Sequence, residues 1–248
     1  MRTPLDRAQE VDDLLQATAP DILLHLGGVV SAAPRPELVQ PTFDTLLVSS
    51  LALLRAVGDG RLRRLVLVGS TEEPPPGVVP ASPYGAAKAA MTSFARLYAG
   101  WGADVVIIRP AMVVGHGQAG DKLRPYVARS ALRGAPPELP SGTRLADWVY
   151  VDDVVDGIVL AADRAPAGSE LELGTGVLTS TREVVETLLA AVETGVPPRW
   201  GALLDRPSEP SRAAAIEVAE RLIGWRAHHS LEHGLRLAAA KWRAELAA

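Results

Sequence analysis

The sequence predicts an α/β protein built on a doubly wound parallel sheet. Three observations carry that expectation. Short, nearly continuous apolar runs recur at Asp21–Leu26, Leu65–Val68 and Val105–Ile108, each closed by Gly or Arg-Pro. Such runs suit strands buried on both faces, as in parallel sheets. Segments of helical periodicity separate them, which gives repeated strand–helix–strand units. The length of 248 residues holds one α/β domain of ordinary size, or a large domain with a small lobe.

Taken in order, Asp6 to Ala17 carries Val11, Leu14 and Leu15 at helical spacing and stops before Pro20. The first strand is Asp21–Leu26, ended by Gly27-Gly28. Pro34 to Pro41 reads as a loop or helix entrance, and Phe43 to Val57 as a long apolar helix. After the second strand, a Pro-rich loop from Glu72 to Pro83 leads into a helix from Tyr84 to Trp101. The third strand ends in Arg109-Pro110. Beyond residue 118 the rhythm loosens. A helix (Lys122–Arg133), a strand (Trp148–Val151), a helix (Asp152–Asp163) and a strand (Leu171–Leu173) are expected. Helices follow at Thr181–Glu193, Arg212–Ile223 and Leu231–Leu246, and Gly195–Pro210, with its prolines, reads as a loop.

Composition narrows the function. A net charge of −4 disfavours nucleic acid, which needs a concentrated basic face. There is no cysteine, so thiol nucleophiles, thiolate metal sites and disulfides are all excluded; a cytoplasmic location is expected. No apolar run reaches the roughly 18 residues of a membrane helix, and the polar segment Met1–Asp13 does not read as a signal peptide. His228, His229 and His233 are not expected to bind metal, because adjacent histidines face different ways and no carboxylates complete a set.

The chemistry concentrates at Tyr84-Gly-Ala-Ala-Lys88. Residues four apart share one helical face, so the Lys88 ammonium can approach the Tyr84 phenol. A neighbouring cation favours the phenolate, making a workable general acid/base. Ser70 and Thr71, just past the second strand, supply hydroxyls beside it.

The ordered set Asp21–Gly28, Leu65–Thr71, Ser82–Lys88 and Ile108–Gly115 resembles the extended short-chain dehydrogenase/reductases, in the NAD-dependent epimerase/dehydratase (nucleotide-sugar) branch. Trp148–Asp153, Leu173–Gly176, Ile223–Trp225 and Ser230–Leu235 extend the resemblance over essentially the whole chain. It implies a Rossmann-like sheet, with residues 1–118 as a truncated core bearing the Tyr-Lys motif. Residues 119–248 would hold the remaining sheet elements and a small α-rich substrate-binding lobe. It implies Tyr84 as catalytic acid/base and Lys88 as its partner, both also binding the cofactor. Thr71, or alternatively Ser70, would hold the substrate oxygen. Gly27, Gly28 and Pro110 would line the NAD or NADP site. Glu72 and Glu73 stand where sugar 4,6-dehydratases carry an acidic pair; a solvated loop pair is the alternative and is favoured. His116, Arg144 and Arg206 are candidates on the substrate side, the arginines for a diphosphate.

The departures are equally specific. No Gly-x-x-Gly-x-x-Gly turn precedes Asp21, although that turn cradles the dinucleotide pyrophosphate. The expectation is therefore an amino-terminally shortened fold, about a fifth below the family plan. Gly115-His-Gly-Gln-Ala-Gly120 fits Gly-x-Gly-x-x-Gly, but no selector residue follows it on a second strand; it reads as a loop near the substrate. Leu46 replaces a usual asparagine and Ala146 a usual diphosphate-binding arginine. The leading expectation is an NAD(P)-linked epimerase, dehydratase or reductase acting on a sugar-like or other hydroxylated substrate, such as a nucleotide-linked sugar. Two alternatives stay open: a cofactor-independent acid/base enzyme, and a non-catalytic binding partner. A homodimer, or a partner covering an exposed sheet edge, is expected as well.

Overall fold

The computed structural model describes residues 8–205 and 211–247. They form two compact units. The first runs through Pro110 and takes in Gly157–Glu172 and Glu217–Trp225; the second holds Ala111–Asp156, Leu173–Ile216 and the segment from Arg226 onward.

In the first unit, α1 (Ala8–Thr18) leads to β1 (Ile22–His25). A short 3-10 turn at Pro36–Leu38 opens a helical run of α2 (Val39–Thr42), a π-helical segment (Phe43–Val48) and α3 (Ser49–Gly58). Then come β2 (Arg64–Val68), α4 (Pro83–Gly100) and β3 (Val105–Pro110). The expected single helix at Phe43–Val57 is thus preceded by an extra turn and interrupted by the π segment. β1, β2 and β3 are parallel, with Leu24 beside Val66 and Val66 beside Val106. The sheet order is β1-β2-β3 followed by the strand Glu170–Leu173, so β1 lies at an edge. Val11 and Leu15 of α1, Leu53 and Leu54 of α3, and Met91 and Ala95 of α4 pack on Leu65, Leu67, Val105 and Ile107. The runs of β2 and β3 are therefore in the core, whereas β1, expected to be buried on both faces, is an edge strand with Leu24, and Leu26 just past it, exposed.

In the second unit, β4 (Met112–Val114) precedes α5 (Leu123–Leu132), β5 (Glu138–Leu139), β6 (Leu145–Tyr150) and α6 (Val151–Arg164). α6 ends in residues of the first unit. β7 (Glu170–Leu173) and α8 (Glu217–Ile223) fall mainly or wholly in the first unit, and β8 (Leu178–Ser180), α7 (Thr181–Val192), β9 (Arg199–Trp200) and α9 (Leu231–Ala247) in the second. β6 is the centre of a second sheet, parallel to β4 and antiparallel to β8. Neither partner strand is long enough to show a period in the sequence. Trp148, Tyr150, Val184, Leu188, Leu235 and Trp242 are part of its core, so Trp148 and Trp242 are packing residues.

Two expectations need correction. The Gly195–Pro210 loop contains β9, which pairs with β5 and carries Trp200 under the Arg182 guanidinium at 4.2 Å. The helix expected from Arg212 begins only at Glu217. Its first residues are drawn off because the Ala214 N–H donates to Asp147 Oδ2 at 3.0 Å. Among the described residues no helix is long and apolar enough to cross a membrane, and no group of histidines and carboxylates is placed to hold a metal ion.

Candidate active site

The sequence Ser82-Pro83 starts α4 for two reasons. The Ser82 hydroxyl accepts the Gly85 N–H at 3.1 Å, and Pro83 at the first helical position lacks an N–H to satisfy. Tyr84 is consequently fixed in the first turn, with Lys88 one turn on along the same buried face. A side chain at position 85 would press on the Glu72 carbonyl, 2.8 Å from where its Cβ would lie. Glycine there lets the helix start approach the loop that carries Ser70.

Beyond the carboxyl end of β2 the chain remains tied to β3. The Gly69 N–H donates to the Ile108 carbonyl at 2.7 Å and the Thr71 N–H to the Pro110 carbonyl at 3.3 Å. Thr71 Oγ1 also donates to the Pro110 carbonyl, at 3.4 Å. Ser70, by contrast, accepts the Glu72 N–H at 3.1 Å, and its side chain bears on the Tyr84 phenol. Of the two candidate hydroxyls, Ser70 is the one the fold brings to the tyrosine.

Glu73 has a different position from the one expected. It is 8% exposed, and both carboxylate oxygens are engaged. Oε1 accepts the Ser70 N–H at 2.9 Å; Oε2 accepts the Thr92 hydroxyl and Arg109 Nε, each at 2.9 Å. Arg109 Nη2 reaches on to Glu170 at 2.8 Å. Glu73 is thus neither a solvated loop charge nor a side chain turned toward a ligand; it anchors the turn that presents Ser70. Glu72 stays half-buried. Neither Thr92 nor Arg109 stands among the expected site residues, because each lies far along the chain from Glu73.

Burial dominates the electrostatics. It pushes the Tyr84 phenol above its ordinary value; the Ser70 side chain pulls the other way, and Glu72 and Glu73 add to the rise. The simple expectation that Lys88 lowers this value does not describe the site. Lys88 is 4% exposed, and burial brings its ammonium down to about 8 against the opposing pull of Glu73. Its Nζ donates to the Val68 carbonyl and lies 5.8 Å from the Tyr84 ring centre. His25, at the end of β1, is lowered to about 4 by burial and by Lys88. It is 3.1 Å from the Ser49 hydroxyl through Nε2, so its side chain contacts α3.

Gly27 and Gly28 are exposed at the carboxyl end of β1. Gly28 has a φ of 130°, and a Cβ there would overlap Leu46 Cδ2. Leu46 itself lies in the π segment and packs against Tyr84 and Ala87; π-bulges often accompany functional sites. Pro110 contributes its carbonyl to Thr71. Hence Gly27, Gly28, Ser70 and Pro110 all lie just past, or close, the carboxyl ends of parallel strands, where ligands bind to open α/β sheets.

Within the second unit, His116 is exposed on the Gly115–Gly120 turn between β4 and α5. Arg144 is half-buried just before β6, and its carbonyl accepts the Thr181 N–H at 2.8 Å. Arg206 lies outside the described residues. Asp147 accepts the Thr175 N–H at 2.8 Å, the Thr175 hydroxyl at 2.6 Å and the Gly176 N–H at 2.9 Å, fixing the Leu173–Gly176 turn. Asp153 accepts the His229 N–H at 3.1 Å and lies 2.8 Å from His229 Nδ1.

Residues 2–174 match the NAD dependent epimerase/dehydratase family. A UDP-glucose 4-epimerase of Mycolicibacterium smegmatis is 31% identical over 251 residues, covering 91% of this chain and 77% of its own. The structure of a Thermotoga maritima UDP-glucose 4-epimerase with UDP-glucose superposes with a TM-score of 0.90 at 21% identity, covering 99% of this chain and 84% of that one. A Thermus thermophilus UDP-glucose 4-epimerase in complex with NAD gives 0.85 at 25% identity, covering 98% and 84%. The Rossmann-like α/β class expected from the sequence is that of these structures. The chain is an enzyme of the NAD dependent epimerase/dehydratase family.

Proposed function

We propose that this chain is an NAD(P)-dependent epimerase/dehydratase-type enzyme acting on a nucleotide sugar, with Tyr84, Lys88 and Ser70 as its acid/base group. The observation that carries the reading is the joint burial of Tyr84 and Lys88 on one face of α4, beside the turn that carries Ser70. The relatives support the substrate class, since they include UDP-glucose 4-epimerases and dTDP-glucose 4,6-dehydratases.

The residues present fit the nicotinamide-ribose end of a dinucleotide. Lys88 and Tyr84 form a donor pair within reach of the strand ends, and Gly27-Gly28 exposes backbone beside them. Lys88 would hold ribose hydroxyls, while Gly27, Gly28 and Pro110 would line the site. The bound nicotinamide supplies the acceptor and donor of hydride. For the substrate, Ser70 hydrogen-bonds the reacting oxygen. The Tyr84 phenolate takes the hydroxyl proton as the carbonyl forms, and the phenol returns it on reduction. Burial holds Tyr84 as the phenol in the free protein, the form that donates a proton when a carbonyl is reduced. The engagement of Glu73 with Arg109 favours epimerase or reductase chemistry over a dehydratase use of the Glu72–Glu73 pair.

The test is a thermal-stability titration with NAD and with NADP, followed by incubation with UDP- and dTDP-hexoses and product analysis by NMR. One dinucleotide should raise Tm by mass action, and at least one sugar nucleotide should be converted. Binding of neither dinucleotide would overturn the reading. Phe94 and Leu97 on α4, with Trp101 at its cap, form an exposed stripe at helical spacing. This supports the homodimer as well, which sedimentation of wild-type and Leu97→Glu protein would check.

A further inference from the structure

Lys88 is buried on α4, yet among the described residues its ammonium meets no carboxylate at ion-pair distance; its hydrogen bond goes to the Val68 carbonyl. A buried cation is costly unless an opposite charge compensates it. Burial lowers the ammonium to about 8, and the carboxylate that opposes this is Glu73. The same carboxylate adds to the rise that burial imposes on the Tyr84 phenol. One buried charge thus acts on both members of the pair, in the direction that keeps both protons in place.

The geometry fixes that charge from three elements. Oε1 accepts the Ser70 N–H just past β2, while Oε2 accepts Arg109 Nε from β3 and the Thr92 hydroxyl from α4. Arg109 Nη2 donates to Thr92 Oγ1 at 3.4 Å and closes the triangle. Thr92 follows Tyr84 and Lys88 at four-residue steps along one buried face of α4. The carboxylate is therefore tied to the helix that carries the pair. At Gly69 a Cβ would overlap Glu73 Oε1, so glycine there admits the carboxylate beside the strand end. Charges alternate along Glu73, Arg109, Glu170 and Arg96, and Glu73 is the end of that chain beside Ser70. The other titratable groups bearing on the pair are Glu72, which acts on Tyr84, and His25 of β1. His25, lowered to about 4 by burial and Lys88, carries no charge near neutrality.

We infer that Glu73 is a positioning residue of the reaction: held by Arg109 and Thr92, its carboxylate is the counter-charge that keeps the Lys88 ammonium beside Tyr84. This rests on the epimerase/dehydratase-type reading only for the reaction that the pair performs; the charge on Lys88 is measurable without substrate.

The experiment labels lysine isotopically at Cε and follows Lys88 by NMR through neutral and alkaline pH. Its signal is assigned by its loss in Lys88→Arg; Lys122 and Lys241 are the other lysines. Wild type is compared with Glu73→Gln, with Glu73→Gln combined with Arg109→Met, and with Thr92→Val. The double variant removes the pair together and leaves no lone buried charge at Arg109, a change tolerated better than loss of one partner; Glu170 keeps Arg96. In either Glu73 variant the Lys88 midpoint should fall about one unit below that of wild type, with Lys122 and Lys241 unmoved. The alkaline limb of kcat, on the sugar nucleotide that wild type converts, should move down with it. Thr92→Val keeps the charge and should leave the midpoint in place. An unmoved Lys88 midpoint in a folded Glu73 variant would overturn the inference and leave the nucleotide-sugar reading standing. So would a kcat limb that stays while the midpoint falls, or an equal shift in Thr92→Val, which would assign the effect to packing. Loss of fold in both Glu73 variants would overturn it in favour of a purely structural role. A lowered midpoint in a protein whose wild type converts no sugar nucleotide would sustain the counter-charge and sink the functional reading instead.

Discussion

Arg109 Nε donates to Glu73 Oε2 at 2.9 Å, with both side chains 8% exposed. The pair joins the end of β3 to the turn after β2, and its other carboxylate oxygen holds the Ser70 N–H. Removing the carboxylate leaves Arg109 with Glu170 alone as its charge partner. Glu73→Ala should cost about 3 kcal/mol, the usual loss when one partner of a buried pair is deleted. Half-buried Glu72 should tolerate alanine far better. Urea unfolding of both variants checks this: equal midpoints would contradict the anchoring role.

Lys88 illustrates a conflict between stability and function. Its folded value of about 8 lies below the ordinary 10.5, so between those values the unfolded chain holds more protons. Stability then rises with pH across that window, and the burial cost is fully present below pH 8. Lys88→Met should accordingly be more stable than wild type at neutral pH while losing activity. In wild type, turnover should decline above pH 8 as the ammonium discharges. Unchanged stability of Lys88→Met, or a rate flat through pH 8, would refute the account of a charged buried lysine.

His25 gives the acid-side counterpart. Burial first, and Lys88 second, hold it at about 4 rather than 6.5. It is neutral in the folded protein and protonates more readily when unfolded. Its contribution is present above pH 6.5 and lost as pH falls toward 4, about 3 kcal/mol over the window. His25→Gln should flatten the stability profile there; chemical denaturation at stepped pH values measures it.

Gly28 and Leu46 are coupled by close approach. Any Cβ at position 28 would overlap Leu46, at a φ of 130° that side chains seldom adopt. Gly28→Ala should destabilise by more than 1 kcal/mol, and Leu46→Ala should recover only the steric part, since the backbone strain remains. A double-mutant cycle with a positive coupling supports the contact, and strict additivity would deny it.

What the sequence disclosed follows from range. Strands β1, β2 and β3 and the start of α4 were legible because apolar runs, the Ser82 cap and Pro83 act within a few residues. The capping pair Ser180 and Glu183 likewise marks the start of α7, the Ser180 hydroxyl accepting the Glu183 N–H at 3.1 Å. The spacing of Tyr84 and Lys88 placed both on one buried face of α4 for the same reason. By contrast, the fate of Glu73 depends on Arg109, and the delayed start of α8 depends on Asp147 capturing Ala214. No local pattern encodes such partners. That Thr71 turns its hydroxyl to the Pro110 carbonyl is likewise supplied only by the folded chain.

The central claim is that the Tyr84 phenol moves the proton in the reaction on a nucleotide sugar. The direct measurement is kcat of Tyr84→Phe against wild type, with saturating dinucleotide and the sugar nucleotide that wild type converts, and Kd for both ligands recorded in parallel. Loss of the hydroxyl should lower kcat by about 100- to 10,000-fold while leaving ligand affinity within a few-fold, because the ring still packs against Leu46 and Ala87. A Tyr84→Phe enzyme turning over at the wild-type rate would contradict the account.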